Sequence, residues 1–363
     1  VTNIFGMTLT ELQETLKPYK VPGYRARQIA EWMYQKGAAS FEAMTNLSKQ
    51  LRETLAGELI IGRPIIRTRL DSKDTKTTKF LLEFDDGTAV ETVLMRQSYG
   101  NSICVSSQAG CSMGCAFCAS TLHGLARDLT AGEILGQAIT INDMLRDEEN
   151  GQKVDTIVIM GSGEPLMNWD VVKELVKYGR SLEKEHNKLF RFTLTTNGVL
   201  LNDEIMEFCN KEMSNVVLSL DGRKEVNDKM RPFRNGTGSY DLIVPKFQKF
   251  AESRGDKDYF VRGTFTRNNL DFSNDVLHFA DLGFKKLSVE PVVAPPEAPY
   301  SIREEDLPQI MEEYDRLAKE FVKREKEGRG FKFFHFMLDL SQGPCVAKRL
   351  SGCGSGTEYL AVT

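Results

Sequence analysis

Three cysteines on one short loop constrain this chain more than any other feature of its sequence. Cys111, Cys115 and Cys118 lie in the run Gly110-Cys111-Ser112-Met113-Gly114-Cys115-Ala116-Phe117-Cys118, which has C-x3-C-x2-C spacing. Three thiolates from one loop predict a 4Fe-4S cluster with one iron free of protein ligands, where a small molecule can bind. A structural zinc site is the alternative, but such sites normally take four ligands, and His123 is the only nearby candidate for the fourth.

Strand and helix patterns alternate after the cysteine loop. Short apolar runs at 156–160, 192–196, 216–220, 260–265 and 286–290 are separated by helical patterns, one of which begins with a capping box at Thr130 and Glu133. Repeated strand–helix units predict an α/β fold, a partial (β/α)6 barrel. Sites in such barrels lie at the carboxyl ends of the strands, and the cysteine loop follows the first strand.

The front of the chain has a different pattern. Residues 8–60 favour short helices, the first of which begins with a capping pattern at Thr8 and Glu11. Residues 78–95 contain two strand patterns around the turn Asp85-Asp86-Gly87, which predicts a hairpin. We therefore expect a helical module at 1–62, a small β-sheet extension at 63–100, the barrel core at 101–295 and a C-terminal extension at 296–363.

Composition and charge restrict the class of protein. Hydrophobic residues make up 41% of the 363 residues, and no apolar run approaches the roughly 20 residues of a membrane span. The N-terminus lacks a secretory pattern, and seven cysteines, an odd number, indicate metal chemistry in a reducing compartment, so we expect a cytoplasmic protein without membrane contact. The net charge of -4 argues against a generic nucleic-acid binder, although residues 1–79 hold 13 Lys and Arg against 8 Asp and Glu.

Glycine and polar residues follow several predicted strands. Gly161-Ser162-Gly163-Glu164-Pro165 comes after the second barrel strand, and its glycines allow the backbone to approach a ligand closely. It is not a phosphate loop, because no Lys follows it and the G-x-G-x-x-G pattern is absent. Later strands bring further candidates to the same edge: Thr196, Asn197, Ser219, Asp221 and Arg262. Each either contacts a ligand or belongs to a turn or a structural ion pair.

The cysteine spacing, Phe117 and the glycine-rich element together resemble the radical S-adenosyl-L-methionine (AdoMet) superfamily. The resemblance implies that the open iron holds AdoMet and that one electron from the cluster cleaves it to a 5'-deoxyadenosyl radical. It also implies a reductant such as flavodoxin or ferredoxin. The implied AdoMet contacts are Gly161, Gly163 and Glu164 for the amino group, and Thr196, Asn197, Ser219, Asp221 and Arg262 for the ribose and the carboxylate.

Residues 1–166 resemble a narrower family, the radical AdoMet methyltransferases that act on carbon 2 of an adenine in ribosomal and transfer RNA. The matching strings are 90–96, 104–108, 110–121 and 160–165. The resemblance implies structured RNA as the partner, engaged by the helical front. It further implies that Cys104 resolves a covalent intermediate between protein and RNA, and that Glu91 handles a proton. The family's C-terminal cysteine, which carries the methyl group in an Arg-Gly-x-Asp-Ile-x-x-Ala-Cys-Gly context, has no match here; only Cys345 or Cys353 lies late enough to replace it.

Residues 166–363 resemble a second family, the SPASM-group maturases that build cysteine thioethers in a six-cysteine peptide. The matching strings are 219–222, 227–240, 262–265 and 343–356. This resemblance implies a Cys-rich precursor peptide as partner, and it makes Cys345 and Cys353 the first ligands of an incomplete auxiliary cluster. A chain spliced near residues 164–166 would account for both resemblances.

Three hypotheses result from these patterns. The leading one is an enzyme that cleaves AdoMet and methylates adenine carbon 2 in RNA. The second is a peptide maturase forming cysteine thioethers, and the third is a catalytically incomplete iron-sulfur protein that binds RNA. Cys209, which lies in a predicted helix, is expected to be core packing.

Overall fold

A computed structural model describes residues 1–73, 75–97, 100–186 and 189–337. Its helices are α1 (Leu9–Leu16), α2 (Gly23–Tyr34), α3 (Lys49–Glu58), α4 (Ala131–Glu148), α5 (Trp169–His186), α6 (Asp203–Glu212), α7 (Lys224–Met230), α8 (Tyr240–Ser253), α9 (Phe272–Asp281) and α10 (Leu307–Lys326). Its strands are β1 (Thr2–Asn3), β2 (Leu59–Ile60), β3 (Ile65–Asp71), β4 (Thr77–Glu83), β5 (Ala89–Gln97), β6 (Gly100–Val105), β7 (Gln108–Gly110), β8 (Leu125–Asp128), β9 (Val154–Ile159), β10 (Phe192–Thr196), β11 (Asn215–Ser219), β12 (Asp258–Phe265), β13 (Lys286–Pro291) and β14 (Lys332–Phe333).

One large sheet organises the described chain. Its strand order is β14-β13-β12-β11-β10-β9-β6-β5-β4-β3. In this sheet, parallel pairing joins β6, β9, β10, β11, β12, β13 and β14, which are connected by helices, whereas β3 to β6 pair antiparallel. The six strands from β6 to β13 in this order make the partial (β/α)6 barrel that the alternating pattern predicts, and the two-residue β14 adds a short seventh parallel strand at its edge. The β4–β5 hairpin around residues 85–87 confirms the predicted turn.

Apolar strand faces and helix stripes form the main core. Leu194, Leu218, Val261 and Leu287 are fully buried on successive strands, and helix residues such as Phe247 cover them. Each such side chain stabilises the fold by roughly 1.5–3 kcal/mol. Because the helices cover one face, the alternate residues of the same strands face the barrel interior.

Local signals in the sequence set the helix ends. Thr8 and Thr130 each accept a hydrogen bond from the backbone N–H three residues later, and the Glu side chains at those positions return to the cap backbone. Both capping boxes are therefore confirmed. Within the described residues, no helix has the length and apolar composition needed to cross a bilayer.

The three N-terminal helices have a core of their own. Ile4, Leu12, Ile29, Met33 and Leu55 are fully buried in a cluster that spans residues 4–61. This cluster meets the barrel along α4, where Arg63 donates to the Gly37 carbonyl at 2.7 Å and forms an ion pair with Asp143.

A glycine pair makes the closest part of this contact. A Cβ atom on Gly132 of α4 would lie 2.6 Å from the carbonyl oxygen of Phe5 and 2.7 Å from the Cα of Gly6. Both neighbours are backbone atoms, so neither can rotate away. Only glycine fits at position 132 without moving the N-terminal segment.

We therefore expect Gly132→Ala to lower the free energy of unfolding by roughly 1–3 kcal/mol, the usual cost of overpacking. Gly57→Ala is the matched control, because Gly57 is also helical but has no atom within 4 Å of its Cβ position. That variant should gain up to about 1 kcal/mol from better helix propensity. Denaturant titration measures both, and equal stability of Gly132→Ala and the parent would contradict the contact described.

Candidate active site

A cavity of about 280 Å³ opens at the carboxyl ends of the parallel strands. The cysteine loop supplies one wall, and the loops after β9, β10 and β11 together with the end of β12 supply the others. The lining residues are Cys111, Met113, Cys115, Phe117, Cys118, Ser120, Thr121, Met160, Gly161, Gly163, Glu164, Thr195, Thr196, Asn197, Ser219, Arg231, Arg262 and Thr264. The predicted cofactor residues therefore come together in one place, with the single exception of Asp221.

Backbone hydrogen bonds hold the cysteine loop in shape. The Cys111 N–H donates to the Gly124 carbonyl at 3.1 Å, and the Cys118 N–H donates to the Cys115 carbonyl at 3.1 Å. The Thr121 hydroxyl donates to the Cys118 carbonyl at 2.8 Å. Gly110 has a φ of +76°, and a Cβ there would meet the Gly124 carbonyl oxygen at 2.0 Å, so this position requires glycine.

The three thiols of the cysteine loop line one cavity. Among the residues that the structure describes, no three His, Cys, Asp or Glu side chains converge on a position for one metal ion. A 4Fe-4S core is larger than one ion and needs thiolates spread around it, and all three cysteines line the same cavity. Burial raises the pKa of the Cys111 and Cys115 thiols, and these thiols must lose their protons to bind a cluster.

Close packing explains the glycine-rich element after β9. A Cβ on Gly161 would lie 2.7 Å from the Ser106 backbone nitrogen, and Gly163 has a φ of +105°. The Ser107 N–H donates to the Ser162 carbonyl at 3.1 Å, and the Ser162 N–H donates to the Ser106 hydroxyl at 2.9 Å. These bonds join the element to the end of β6 and bring its backbone to the cavity surface.

Glu164 organises the neighbouring strand end. Its side chain is buried, and its carboxylate accepts hydrogen bonds from the Thr196 hydroxyl at 2.7 Å, the Asn197 N–H at 2.8 Å and the Leu166 N–H at 3.1 Å. Burial raises the pKa of this carboxyl despite these donors. Glu164 therefore fixes the positions of Thr196 and Asn197 at the cavity wall.

Asp221 does not lie where the sequence analysis expected it. Its side chain is fully buried, and its carboxylate binds the Arg231 guanidinium at 2.8 and 3.1 Å and the Thr264 N–H at 3.0 Å. In this structure the carboxylate faces an arginine instead of the cavity where AdoMet is expected, so the predicted direct contact is not seen. Arg231 lines the cavity in place of Asp221. The sequence analysis did not identify this arginine.

Arg262 does reach the cavity, from the inner face of β12. Its guanidinium lies 3.7 Å from the Met160 sulfur. Within the described residues, no ion pair between Arg262 and a carboxylate is seen, although against the effect of burial the hydrogen bond from His335 and, more weakly, the charge of Arg262 lower the pKa of the Glu290 carboxyl. The Arg262 side chain lines the cavity, where an anionic group can bind it.

Cys104 and Glu91 lie on one face of the sheet. Cys104 on β6 is paired in register with Val93 on β5, and Val93 is two residues from Glu91, so the three side chains share a face. On the other side Cys104 is in register with Val158, two residues before the cavity-lining Met160. This face is therefore the one that continues into the barrel interior.

Lys79 belongs to the same row, although sequence reasoning did not identify it. It is in register with Val93, and its ammonium group forms an ion pair with Glu91 at 2.5 Å. Only 8% of the Lys79 side chain is exposed, against 34% for Glu91.

Glu91 also lines a second cavity, which has a volume of about 350 Å³ and is lined by His123 as well. Ser120 lines both this cavity and the one at the cysteine loop.

Two other cysteine assignments differ in outcome. Cys209 is fully buried in the core, where burial raises the pKa of its thiol to about 12, so the expected packing role is confirmed. Cys345 and Cys353, expected at a partial auxiliary cluster, lie outside the described residues.

Two family models match the chain. Residues 2–61 match the N-terminal domain of ribosomal RNA large subunit methyltransferases, and residues 105–264 match the radical SAM superfamily. That superfamily uses the 4Fe-4S cluster and AdoMet that the cysteine loop and its cavity fit.

Whole-chain comparisons agree with these models. A probable dual-specificity RNA methyltransferase RlmN from Staphylococcus epidermidis is 33% identical over 331 residues, covering 90% of this chain and 89% of its own. A probable dual-specificity RNA methyltransferase RlmN from Clostridium perfringens is 38% identical over 278 residues, covering 75% of this chain and 74% of its own. Among solved structures, a radical SAM methyltransferase from Sphaerobacter thermophilus has a TM-score of 0.73 at 27% identity, covering 92% of this chain and 94% of its own.

The similarity to methyltransferases therefore extends far beyond residue 166. The comparisons do not support the expected resemblance of residues 166–363 to peptide maturases, nor a splice near residues 164–166. A solved structure named native anSMEcpe with bound AdoMet has a TM-score of 0.52 at 20% identity, covering 65% of this chain and 64% of its own; this likeness shows a common fold and no more. The cysteine loop, the cavity at the barrel mouth and the extent of these alignments agree: the chain is a radical SAM enzyme that belongs to the RlmN family of RNA methyltransferases.

Proposed function

We propose that this enzyme methylates carbon 2 of an adenine in structured RNA, ribosomal or transfer RNA. The observation that carries the proposal is the row of Lys79, Glu91 and Cys104 on the sheet face that continues into the barrel interior. A base, its cationic partner and a thiol on one barrel-facing surface of the sheet suit a reaction that moves a proton and breaks a covalent link to protein. The enzyme name of the relatives supports the same reaction.

The chain's own residues have separable tasks in this proposal. When bound, the cluster and AdoMet supply one-electron cleavage of AdoMet. Cys111, Cys115 and Cys118 hold the cluster, while Gly161, Gly163 and the Glu164-anchored Thr196 and Asn197 form the AdoMet wall. Arg262 and Ser219 face the same space, with Arg262 available to a carboxylate.

Glu91 and Cys104 act on the RNA side. Glu91 accepts or returns a proton. The Cys104 thiolate attacks the protein sulfur of the thioether link to RNA and forms a disulfide with it; the sulfur–carbon bond breaks, and its electron pair stays with the RNA carbon, which takes up a proton. The strand face that carries this thiol leads into the barrel interior.

The front of the chain is the proposed RNA-engaging part. Residues 1–62 form the helical module, residues 63–100 the β extension, residues 101–295 the barrel core and residues 296–363 the C-terminal extension. The match of residues 2–61 to a ribosomal RNA methyltransferase domain and the basic charge of the front both support contact with phosphates. A cytoplasmic flavodoxin or ferredoxin is the proposed source of electrons.

Nucleoside analysis tests the proposal. Reconstituted protein is incubated anaerobically with AdoMet, a strong reductant and either ribosomal or transfer RNA, and the RNA is digested for mass spectrometry. The proposal expects 2-methyladenosine in the digest. AdoMet cleavage without any methylated adenosine would favour the catalytically incomplete RNA-binding protein instead.

Lys79→Met should lower the turnover number for RNA methylation about tenfold, or about 1.4 kcal/mol in the activation barrier. The ion pair holds the Glu91 carboxylate in one place, and its loss leaves that group without its buried cationic partner. Because Glu91 is partly exposed, we expect a loss far smaller than for a fully buried pair. Cluster content and AdoMet cleavage without RNA should stay at the parent's level.

Lys79→Arg is the matched variant, since it keeps the charge and can still reach Glu91. It should recover most of the turnover number. If Lys79→Arg were as slow as Lys79→Met, or if both changed AdoMet cleavage equally, the pair would be structural only and this assignment would be wrong.

A further inference from the structure

A buried arginine lies against one of the cluster cysteines. The Nη1 atom of Arg231 is 3.8 Å from the Cys115 sulfur, and its guanidinium carbon lies 5.0 Å from the centre of the Phe117 ring. Only 15% of the Arg231 side chain is exposed. This places a fixed positive charge beside the site where three thiolates would hold an iron-sulfur cluster.

The surrounding contacts fix that charge in position. Two nitrogens of Arg231 bind the fully buried Asp221 carboxylate, which is itself anchored by the Thr264 N–H. The preceding residue, Met230, accepts a hydrogen bond from the Ala116 N–H at 2.9 Å, which ties the end of α7 to the cysteine loop. The arginine therefore cannot withdraw to solvent without breaking an ion pair and moving the loop.

We propose that Arg231 tunes the reduction potential of the cluster by favouring its more negative, reduced state, and that Asp221 sets how much of this charge reaches the cluster. The inference rests on the cluster-binding part of the proposed function but not on the RNA substrate. Asp221 then acts on the cluster through Arg231, in place of the AdoMet contact expected from the sequence.

The charges of Arg231 and Asp221 determine in which direction each residue shifts the reduction potential of the cluster. Reduction adds one negative charge to a cluster that already carries three thiolates, and a cation within a few ångströms lowers the cost of that electron in a poorly solvated site. The negative charge of Asp221, which is paired with Arg231, opposes this stabilisation of the reduced cluster. Removing Arg231 should therefore make reduction harder, and neutralising Asp221 should make it easier.

Redox titration of the reconstituted holoenzyme tests this pair. Iron and sulfide content is measured first, and the midpoint potential is then followed by electron paramagnetic resonance without AdoMet or RNA. Arg231→Met should lower the equilibrium constant for one-electron reduction about tenfold, a negative shift of about 59 mV. Asp221→Asn should move the potential in the positive direction, and Arg231→Lys should stay closer to the parent than Arg231→Met.

Arg234→Met is the matched control. Arg234 donates to the Ser112 carbonyl of the same loop at 3.2 Å, but it is exposed, so water screens its charge. Its loss should leave the potential unchanged. A structural role for Arg231 alone would instead lower cluster content in both Arg231→Met and Asp221→Asn, without shifts of opposite sign.

Each outcome has a defined meaning. Opposite shifts in Arg231→Met and Asp221→Asn support the inference, and equal potentials in all variants overturn it. If Arg231→Met cannot be reconstituted, Asp221→Asn decides: a positive shift at full cluster content supports the inference, and an unchanged potential overturns it. A parent protein that binds no cluster would refute the cluster assignment in the proposed function, a result distinct from either.

Discussion

Replacing Cys115 with alanine should abolish both cluster binding and AdoMet cleavage. The thiol lines the same cavity as Cys111 and Cys118, and two remaining thiolates cannot hold a 4Fe-4S cluster that normally takes at least three from one loop. Iron and sulfide content should fall to background, and chromatography after anaerobic reduction should show no 5'-deoxyadenosine. The effect is the largest that we expect of any single substitution in this chain.

Cys209→Ala is the control for this experiment. Cys209 is also a buried cysteine, but it packs in the core away from the cavity, so this variant should keep its cluster and cleave AdoMet at the parent's rate. Retained AdoMet cleavage in Cys115→Ala would show that the cluster is held elsewhere.

Cys104→Ala should separate the two halves of the reaction. AdoMet cleavage in the absence of RNA should continue, because Cys104 does not line the cavity of the cluster loop. RNA methylation should fall on the order of 10³-fold or more, as when a covalent catalyst loses its nucleophile. Parallel assays of 5'-deoxyadenosine and methylated nucleoside measure both.

A trapped adduct would be the second sign of this role. If Cys104 resolves a covalent link to protein, the variant should accumulate RNA that stays bound after denaturation. Full methylation activity in Cys104→Ala would mean that its place on the barrel-facing strand surface is incidental.

Much of the fold was predictable because its signals are local. Alternating apolar runs predicted the parallel strands, and two Thr–Glu pairs predicted the capped starts of α1 and α4. The cluster cysteines and the glycine-rich element were predictable for the same reason, since each site lies within a few adjacent residues.

The missed residues depend on long-range geometry. Arg231 lies 116 residues from Cys115 along the chain, and nothing in its local sequence indicates that contact. Lys79 and Cys104 come together only through the register of β4, β5 and β6. Asp221 was misassigned because an acidic residue after a strand suits a ligand contact, and only the structure reveals the arginine that occupies it.

The unsupported resemblance to peptide maturases has a similar cause. Short strings such as 219–222 and 227–240 hold too few residues to distinguish one radical SAM family from another. The second string contains Arg231, which contacts the cysteine loop and so has a structural use in this barrel. An alignment over 331 residues combines many weak similarities along the chain, which a single short string cannot do.

One competition experiment tests the central claim most directly. Reconstituted parent protein receives AdoMet with a deuterated methyl group, together with equal amounts of RNA and a six-cysteine peptide, under anaerobic reduction. We predict that mass spectrometry finds deuterium-labelled 2-methyladenosine in the RNA and an unmodified peptide. A thioether-linked peptide beside unmodified RNA would contradict the account.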